Sequence, residues 1–266
     1  MTSGTPIAHV LGLSGEFDAT IIELPSSTIA SDPVLDVVVT MADSRRVTYR
    51  IALSGIGDVV YAREHQPDKM PDFCPQLHVN ADSTFCIGWS GVSELDVTDE
   101  ESARQWWARL HAFLRLQHRA RRLRKWPGTE WAHGDAARYQ YEAEHFASRL
   151  GDDFMRDLAL QRLHVAWWSR LKNTHGPLLR VYRDGTLIYT VSDRFKRVLN
   201  GRQKCVCING DIKRHRRLRS CSDHADAATG LAFALSNWSV AEDKFWATFQ
   251  AKKCCGRMDG CRLQRS

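Results

Sequence analysis

A chain of 266 residues with 43% hydrophobic and 26% charged side chains has the composition of a globular protein, with room for one large domain or two modest ones. No apolar run approaches the ~20 residues that a membrane-spanning helix needs, and Met1-Thr2-Ser3-Gly4-Thr5 lacks the basic start and apolar stretch of a secretory leader, so a cytoplasmic protein with no membrane partner is expected. The net charge is +6 and its basic residues are clumped, at Arg115, Arg119, Arg121, Arg122, Arg124 and Lys125 and again at Lys213, Arg214, Arg216, Arg217 and Arg219; such runs are usually solvated faces, and they also attract acidic partners or nucleic acid.

Residues 17–62 read as a strand meander. Ala19-Thr20-Ile21-Ile22-Glu23-Leu24 and Val34-Leu35-Asp36-Val37-Val38-Val39 are rich in β-branched residues. Apolar positions alternate along Val47-Thr48-Tyr49-Arg50-Ile51-Ala52-Leu53, so one face of an antiparallel sheet should be buried. Pro25-Ser26-Ser27, Ser31-Asp32-Pro33 and Ala42-Asp43-Ser44 supply the breaks. Thr98-Asp99-Glu100-Glu101 reads as a capping box. The helix it opens carries Trp106, Leu110, Phe113, Leu114 and Leu123 at helical spacing and should stop near Trp126-Pro127-Gly128. A second helix is expected from about Asp135 to Gly151, with Tyr139, Ala143, Phe146 and Leu150 on one face, and a third over Phe154, Leu158, Leu163, Trp167 and Leu171. Tryptophans at these spacings read as core. The Trp-, Gly- and His-rich stretch Trp126–Asp135 reads as a packed turn that docks the later helices, with His133 as its candidate for a partner-binding or site-lining role. Leu178–Arg183 and Thr186–Val191 should pair as a hairpin across Asp184-Gly185. A sheet first and helices afterwards is an α+β arrangement.

Residues 78–86 carry the most information: His78-Val79-Asn80-Ala81-Asp82-Ser83-Thr84-Phe85-Cys86, after the proline-bearing run Met70-Pro71-Asp72-Phe73-Cys74-Pro75-Gln76-Leu77. Thioester chemistry needs a thiolate that accepts an acyl group and a fixed amide N–H that stabilises the oxyanion when an amine attacks. An Asn ahead of a short turn and a Cys behind it supply that pair; a strand-turn-strand with an ordinary buried Cys is the other reading. The segment resembles the active-site segment of a ubiquitin-conjugating enzyme, in which an Asn two residues after a His precedes the thioester Cys. Val79 replaces the proline of the eukaryotic motif, and the Asn-to-Cys spacing is two residues shorter. Both features are similar to the bacterial branch of the family, with its compact His-x-Asn-x-Asp-Gly-x-x-Cys pattern; Ser83 stands where that pattern has Gly. The resemblance covers roughly residues 15–125 and implies a four-stranded antiparallel meander, the Cys loop, then helices. It makes Cys86 the acyl-accepting thiol, Asn80 the oxyanion-stabilising amide and His78 a residue that holds the turn. Asp82 is the nearest carboxylate able to help deprotonate an incoming amine. A Cys protease is the less favoured chemistry, because amide cleavage needs a His base beside the thiol and His78 is eight residues away.

Six of the eight cysteines lie between Cys205 and Cys261. In a reducing compartment such a cluster reads as metal-binding rather than as a disulfide framework. Cys205-Val206-Cys207 and Cys221-Ser222-Asp223-His224 offer three thiols and an imidazole, the set a structural zinc takes. The pattern resembles the short zinc-binding tail motif of the SecA secretion ATPase. His224 is the first choice for fourth ligand; Cys254, Cys255 or Cys261 is its replacement or part of a second site.

The expected organisation is a ubiquitin-conjugating-like domain over residues 1–125, a helical and hairpin extension over 126–200, and a small cysteine-rich, zinc-binding tail over 201–266. The whole resembles bacterial ubiquitin-conjugating-like proteins with a cysteine-rich C-terminal region, of the kind found in cyclic-oligonucleotide-based antiphage signalling operons. That resemblance implies a thioester-forming acyltransferase acting on a protein substrate with an activated C-terminus, a nucleotidyltransferase. The chain has no glycine-rich nucleotide loop followed by an activating Cys, so activation must come from elsewhere. Two rival readings stand beside it. One is a zinc-dependent nucleic-acid-binding protein using Arg115–Lys125 and Lys213–Arg219, with Cys86 merely buried. The other is a catalytically inactive conjugating-fold scaffold.

Overall fold

The β-branched runs and the alternation along Val47–Leu53 become a four-stranded antiparallel sheet. Its strands are β1 (Ala19–Glu23), β2 (Val34–Thr40), β3 (Arg46–Ile56) and β4 (Val59–Glu64), in the order β1-β2-β3-β4. The computed structural model describes residues 5–24, 32–88, 95–129, 132–169, 176–199, 202–205 and 217–264. The chain divides into two units, Met1–Gly128 together with Phe249–Ser266, and Thr129–Thr248.

In the first unit, Val37, Val39, Tyr49, Ile51, Leu53, Val60 and Ala62 are buried, as the period-two pattern requires. Against this core lie α1 (Pro6–Gly12), a short helix that the sequence pattern does not mark, and α2 (Glu100–Leu123). Two adjacent tryptophans of α2 fix its position: Trp106 Nε1 donates to the Val60 carbonyl at 2.8 Å, and Trp107 Nε1 to the Val10 carbonyl at 2.9 Å. Fully buried indoles with satisfied N–H groups supply large apolar area without an orphaned donor. The capping box exists, one residue later than expected. Asp99 accepts from Ser102 N–H at 2.8 Å, and Ser102 Oγ accepts from Asp99 N–H at 3.0 Å. Asp is the stronger cap, and the shift puts Glu100 and Glu101 in the first turn, where the helix dipole favours anions. The helix ends earlier than expected, with Arg124 in the left-handed region (φ 52°), so Leu123 is exposed while Trp126 folds back into the core.

In the second unit, α3 (Ala136–Leu150) matches the expected second helix. The expected third helix is corrected. Only α4 (Asp152–Ala159) is helical; Gln161 takes φ 54°, and Leu163–Trp168 is strand β5. Leu163 and Trp167 are four apart, a spacing that suits either structure. The β-branched and aromatic Leu163-His164-Val165-Ala166-Trp167-Trp168 becomes a strand because β6 (Leu178–Arg183) offers it an edge. Trp167 is correspondingly more than half exposed rather than core, and Leu171 lies outside the described residues. The hairpin of β6 with β7 (Thr186–Ser192) turns as expected at Asp184-Gly185, both at positive φ, and β8 (Arg197–Val198) closes the order β5-β6-β7-β8.

A larger correction concerns the cysteine-rich region, expected as a small tail over 201–266. It contains α5 (Ser222–Ala247), the longest helix among the described residues. Ala227, Ala228, Leu231, Ala232 and Leu235 of α5 share a core with Ala143, Ala147 and Leu150 of α3 and with Leu179, Val181, Tyr189 and Val191 of the sheet. Small residues along both helices let their backbones approach closely. Mixed α/β architecture with antiparallel sheets therefore holds for the whole chain.

Candidate active site and metal centre

After β4 the chain makes one compact excursion that carries four expected site residues. Glu64, buried at the strand end, accepts backbone N–H bonds from Asp68, Lys69 and Met70 at 3.0–3.1 Å and so folds the turn that follows. Cys74 then opens a 3-10 turn, Pro75–Leu77, and pairs with Val79 through two reciprocal backbone bonds of 3.1 Å. The buried Gln117 of α2 donates to the Leu77 carbonyl from below.

His78 sits at the end of this turn in the left-handed region (φ 54°). Its ring is buried against Trp126 at a centroid distance of 4.6 Å, and its carbonyl accepts the Cys86 N–H at 2.8 Å. These contacts give His78 a holding role: it sets the backbone opposite Cys86.

Between them runs a tight turn. Asn80 N–H donates to the Thr84 carbonyl at 2.8 Å, and Ser83 N–H to the Asn80 carbonyl at 3.0 Å. Ser83 adopts φ 66°, a left-handed conformation that costs an L-residue about 1–2 kcal/mol and glycine almost nothing. That requirement explains why a Gly would suit this position. Asp82 Oδ1 accepts from both Thr84 N–H (3.0 Å) and Thr84 O–H (2.6 Å), an Asx turn that shapes the loop. Thr84 Oγ1 also accepts from Asn80 Nδ2 at 3.0 Å. The buried Thr84 hydroxyl thus links Asn80 to Asp82. The Asp-x-Thr spacing of an Asx turn is the sequence signal for this link.

Phe85 packs on Phe113 at 4.9 Å and donates its N–H to the Ala62 carbonyl, which ties the far side of the turn to the sheet. Cys86 follows, half-buried, with Sγ 3.8 Å from the Gly88 carbonyl. Asn80 is solvent-exposed on the same turn. A primary amide has two N–H donors, so Asn80 can hold Thr84 with one and offer the other outward.

The second candidate site opens α5. Cys221 is its N-cap residue and His224 lies three residues on, in the first turn. Cys205 joins them from the short bridge of Lys204 with Arg217. Both Cys205 Sγ and Cys221 Sγ lie 3.3 Å from His224 Nδ1, and the three ligand atoms fall within 4.8 Å of one another. Across a tetrahedral zinc, with bonds of about 2.3 Å to S and 2.0 Å to N, the S···N separation is about 3.5 Å. The donor set and its spacing therefore suit a metal ion. Cys221 also sits at a helix N-terminus, where the dipole favours the negative charge that a metal-bound sulfur carries. Cys207 lies outside the described residues.

His133 fastens the loop after Gly128 to α5. Its backbone N–H donates to Glu242 Oε1 at 2.6 Å, its Nδ1 lies 3.0 Å from both oxygens of that carboxylate, and its ring stacks on Phe245. Trp246 Nε1 donates to the same carboxylate at 2.9 Å. This is the docking turn that the sequence suggested. The arginines of α2 are divided in use: Arg119, Arg121 and Arg122 are exposed, whereas Arg115 donates to the Thr40 carbonyl and Arg124 pairs with Asp259 at 2.6 Å. Lys213, Arg214 and Arg216 lie outside the described residues.

Residues 22–128 match the family model described as prokaryotic E2 domain, and residues 132–263 match the model described as cysteine-rich domain, C-terminal to E2. No curated protein and no solved structure matches the chain significantly. No helix among the described residues is long and apolar enough to cross a membrane.

Proposed function

Because the chain belongs to the prokaryotic E2 family and carries the cysteine-rich domain that follows it, we propose that this ubiquitin-conjugating-like protein forms a thioester between Cys86 and the C-terminus of a protein partner and passes that acyl group to an amine. The observation that carries the reading is the single turn holding Asn80 and Cys86, pinned by Thr84, Asp82 and the His78 carbonyl. In the loading step, Cys86 thiolate attacks the carbonyl of an activated C-terminus and expels the activating group. In the transfer step, an amine attacks the thioester carbonyl. Asn80 Nδ2 donates to the oxyanion as it forms, the intermediate collapses to an amide, and Cys86 leaves as thiolate. Asp82, exposed on the same turn, is the nearby carboxylate for the proton released by the amine. A defence nucleotidyltransferase is the partner suggested by the resemblance, and antiphage defence the setting.

Zinc is the metal we assign to Cys205, Cys221 and His224, with Cys207 as the remaining candidate ligand. When bound it would cross-link the start of α5 to the segment before it; Cys86 chemistry does not pass through it.

The test is adduct formation in the host. Cys86→Ser should trap a hydroxylamine-sensitive ester with the partner's C-terminus, and Cys86→Ala should abolish the adduct on non-reducing gels and by intact mass. An adduct that persists in Cys86→Ala refutes the assignment. Asn80→Ala should load normally and transfer slowly; an equal loss of both steps would remove the oxyanion role. The exposed Arg119, Arg121 and Arg122 are the observation on the side of nucleic-acid binding, and salt-sensitive binding that survives Cys86→Ala would favour that reading.

A further inference from the structure

The sheet of the second unit buries one face, with Leu163, Leu179, Val181, Tyr189 and Val191, in the core it shares with α3 and α5. Strand alternation puts the neighbouring residues on the opposite face. The register arranges that outer face in rows. His164 and Tyr182 are partners in one row, Arg180 stands in the next, and Trp168 and Arg197 lie at the two ends of a third, which runs through Leu178 and Ser192. These rows span ~13 Å along β5 and ~14 Å across the sheet. His164 and Arg197 are exposed, and Trp168, Arg180 and Tyr182 are half-buried.

Two properties set this face apart. The first is its aromatic content. The rings of His164 and Tyr182 lie within 7° of parallel at 5.1 Å, the Arg180 guanidinium covers Trp168 at 4.3 Å from the ring centroid, and Arg197 reaches Phe195, an exposed ring in the turn between β7 and β8, at 5.2 Å. Cross-strand pairs of this kind also stabilise a sheet, but stability alone does not require the second property, which is the charge. Strands β5, β6, β7 and β8 contain no Asp or Glu. Arg180 and Arg197 have no ion pair among the described residues; their guanidinium groups lie on rings instead. The sheet of the first unit is different, since its Arg50 is neutralised there by Asp36 at 2.9 Å. Of the acids in the adjoining turns, Asp193 is held by Lys196 at 2.6 Å and Asp184 lies 4.0 Å from Arg162.

We propose that this outer face binds single-stranded nucleic acid, with bases stacking on Trp168 and on the His164–Tyr182 pair and phosphates meeting Arg180 and Arg197. Positive charge without acidic residues selects a polyanion, and exposed rings select one that carries flat π-faces. An acidic peptide satisfies the first requirement and not the second. Duplex DNA satisfies the first, but its bases are already stacked on one another and offer only their edges. The area suits about two or three nucleotides, the number that aromatic residues on an open sheet commonly hold. The residues all lie within Thr129–Thr248, so the surface belongs to one unit and does not rest on the thioester reading.

The experiment titrates the full chain into a short fluorescein-labelled oligo(dT), and into oligo(U), at low salt and reads anisotropy. The unmutated protein should bind both and release them as salt rises. Trp168→Ala and Tyr182→Ala should each weaken binding on the order of tenfold, the loss of one stacked base. Trp168→Phe and Tyr182→Phe, which keep a ring, should stay near the unmutated value. Arg180→Gln should reduce the slope of log K against log salt by about 0.7, one phosphate contact to a single strand. Ultraviolet crosslinking of the unmutated protein to a bromouridine oligonucleotide, mapped by mass spectrometry, needs no variant and should mark the β5 and β6 peptides. Absence of binding at low salt overturns the proposal. So does equal displacement of the oligonucleotide by polyglutamate of matched charge. Crosslinks confined to α2, with binding lost on replacing Arg119, Arg121 and Arg122 and kept in Trp168→Ala, would place nucleic acid on the first unit and overturn it as well.

Discussion

Thr84 joins the two polar side chains of the turn, and its worth to catalysis is separable from its worth to the fold. Its buried hydroxyl accepts from Asn80 and donates to Asp82. Thr84→Val keeps the shape and removes both bonds. Thioester loading should be almost unchanged, while aminolysis should slow on the order of tenfold, the effect of one neutral hydrogen bond of about 1 kcal/mol. Thr84→Ser should restore it. Single-turnover transfer from preloaded Cys86 measures this, and Asn80→Ala, which removes the proposed oxyanion donor itself, should cost on the order of 100- to 1000-fold in the same assay. Another residue sets a pH limit. His111, buried against Trp107 and Phe17, has its pKa lowered by desolvation and by the nearby Arg115; the Phe17 backbone and Asp18 oppose the shift in part. The unfolded chain therefore binds a proton more readily than the folded one. The stabilisation due to neutral His111 is complete above the unfolded value of about 6.5 and is lost as pH falls through the folded value. His111→Phe should flatten the fall in urea midpoint between about pH 7 and pH 5; a fall as steep as wild type would exclude His111 as its source.

At the scale of elements, the α3–α5 contact depends on a missing side chain. A Cβ on Gly230 would stand 2.5–2.6 Å from ring atoms of Phe146, so the aromatic ring occupies the space that any other residue would need. Glycine in a helix interior costs about 1 kcal/mol relative to alanine, and overpacking a well-filled contact costs about 1–3 kcal/mol. The steric effect should win. Gly230→Ala should destabilise the second unit by about 1 kcal/mol net, read from denaturant midpoints, and Gly230→Val by more; Phe146→Leu, which shortens the side chain, should relieve the penalty of Gly230→Ala. A Gly230→Ala protein more stable than wild type would show that the ring moves aside without loss.

Over the whole molecule, the second unit has its own helix–sheet core around Leu231 and Tyr189, and Cys205, Cys221 and His224 are the group at the start of α5 that could hold a metal ion. Chelation at neutral pH should lower the thermal midpoint of that unit and leave its helical circular dichroism largely in place below the transition, because α5 keeps its apolar contacts. A midpoint insensitive to chelator would mean that no metal contributes there. The sequence by itself determined the local features with short-range causes: the alternating strands, the Asp184-Gly185 hairpin, the second helix, and the order His78, Asn80, Asp82, Cys86 that marks the turn. Tertiary structure decided what depends on partners distant in sequence. Leu163–Trp168 is a strand because β6 borders it, although its apolar spacing also suits a helix. His78 is expected from the resemblance to hold the turn; that its ring does so against Trp126 is decided by the tertiary structure. Cys254, Cys255 and Cys261, which the sequence leaves as replacement ligands or a second site, belong to the same unit as Cys74, whereas Cys205, Cys221 and His224 lie in the other. Sequence spacing shows which thiols are available; which of them share an ion depends on where the backbone returns.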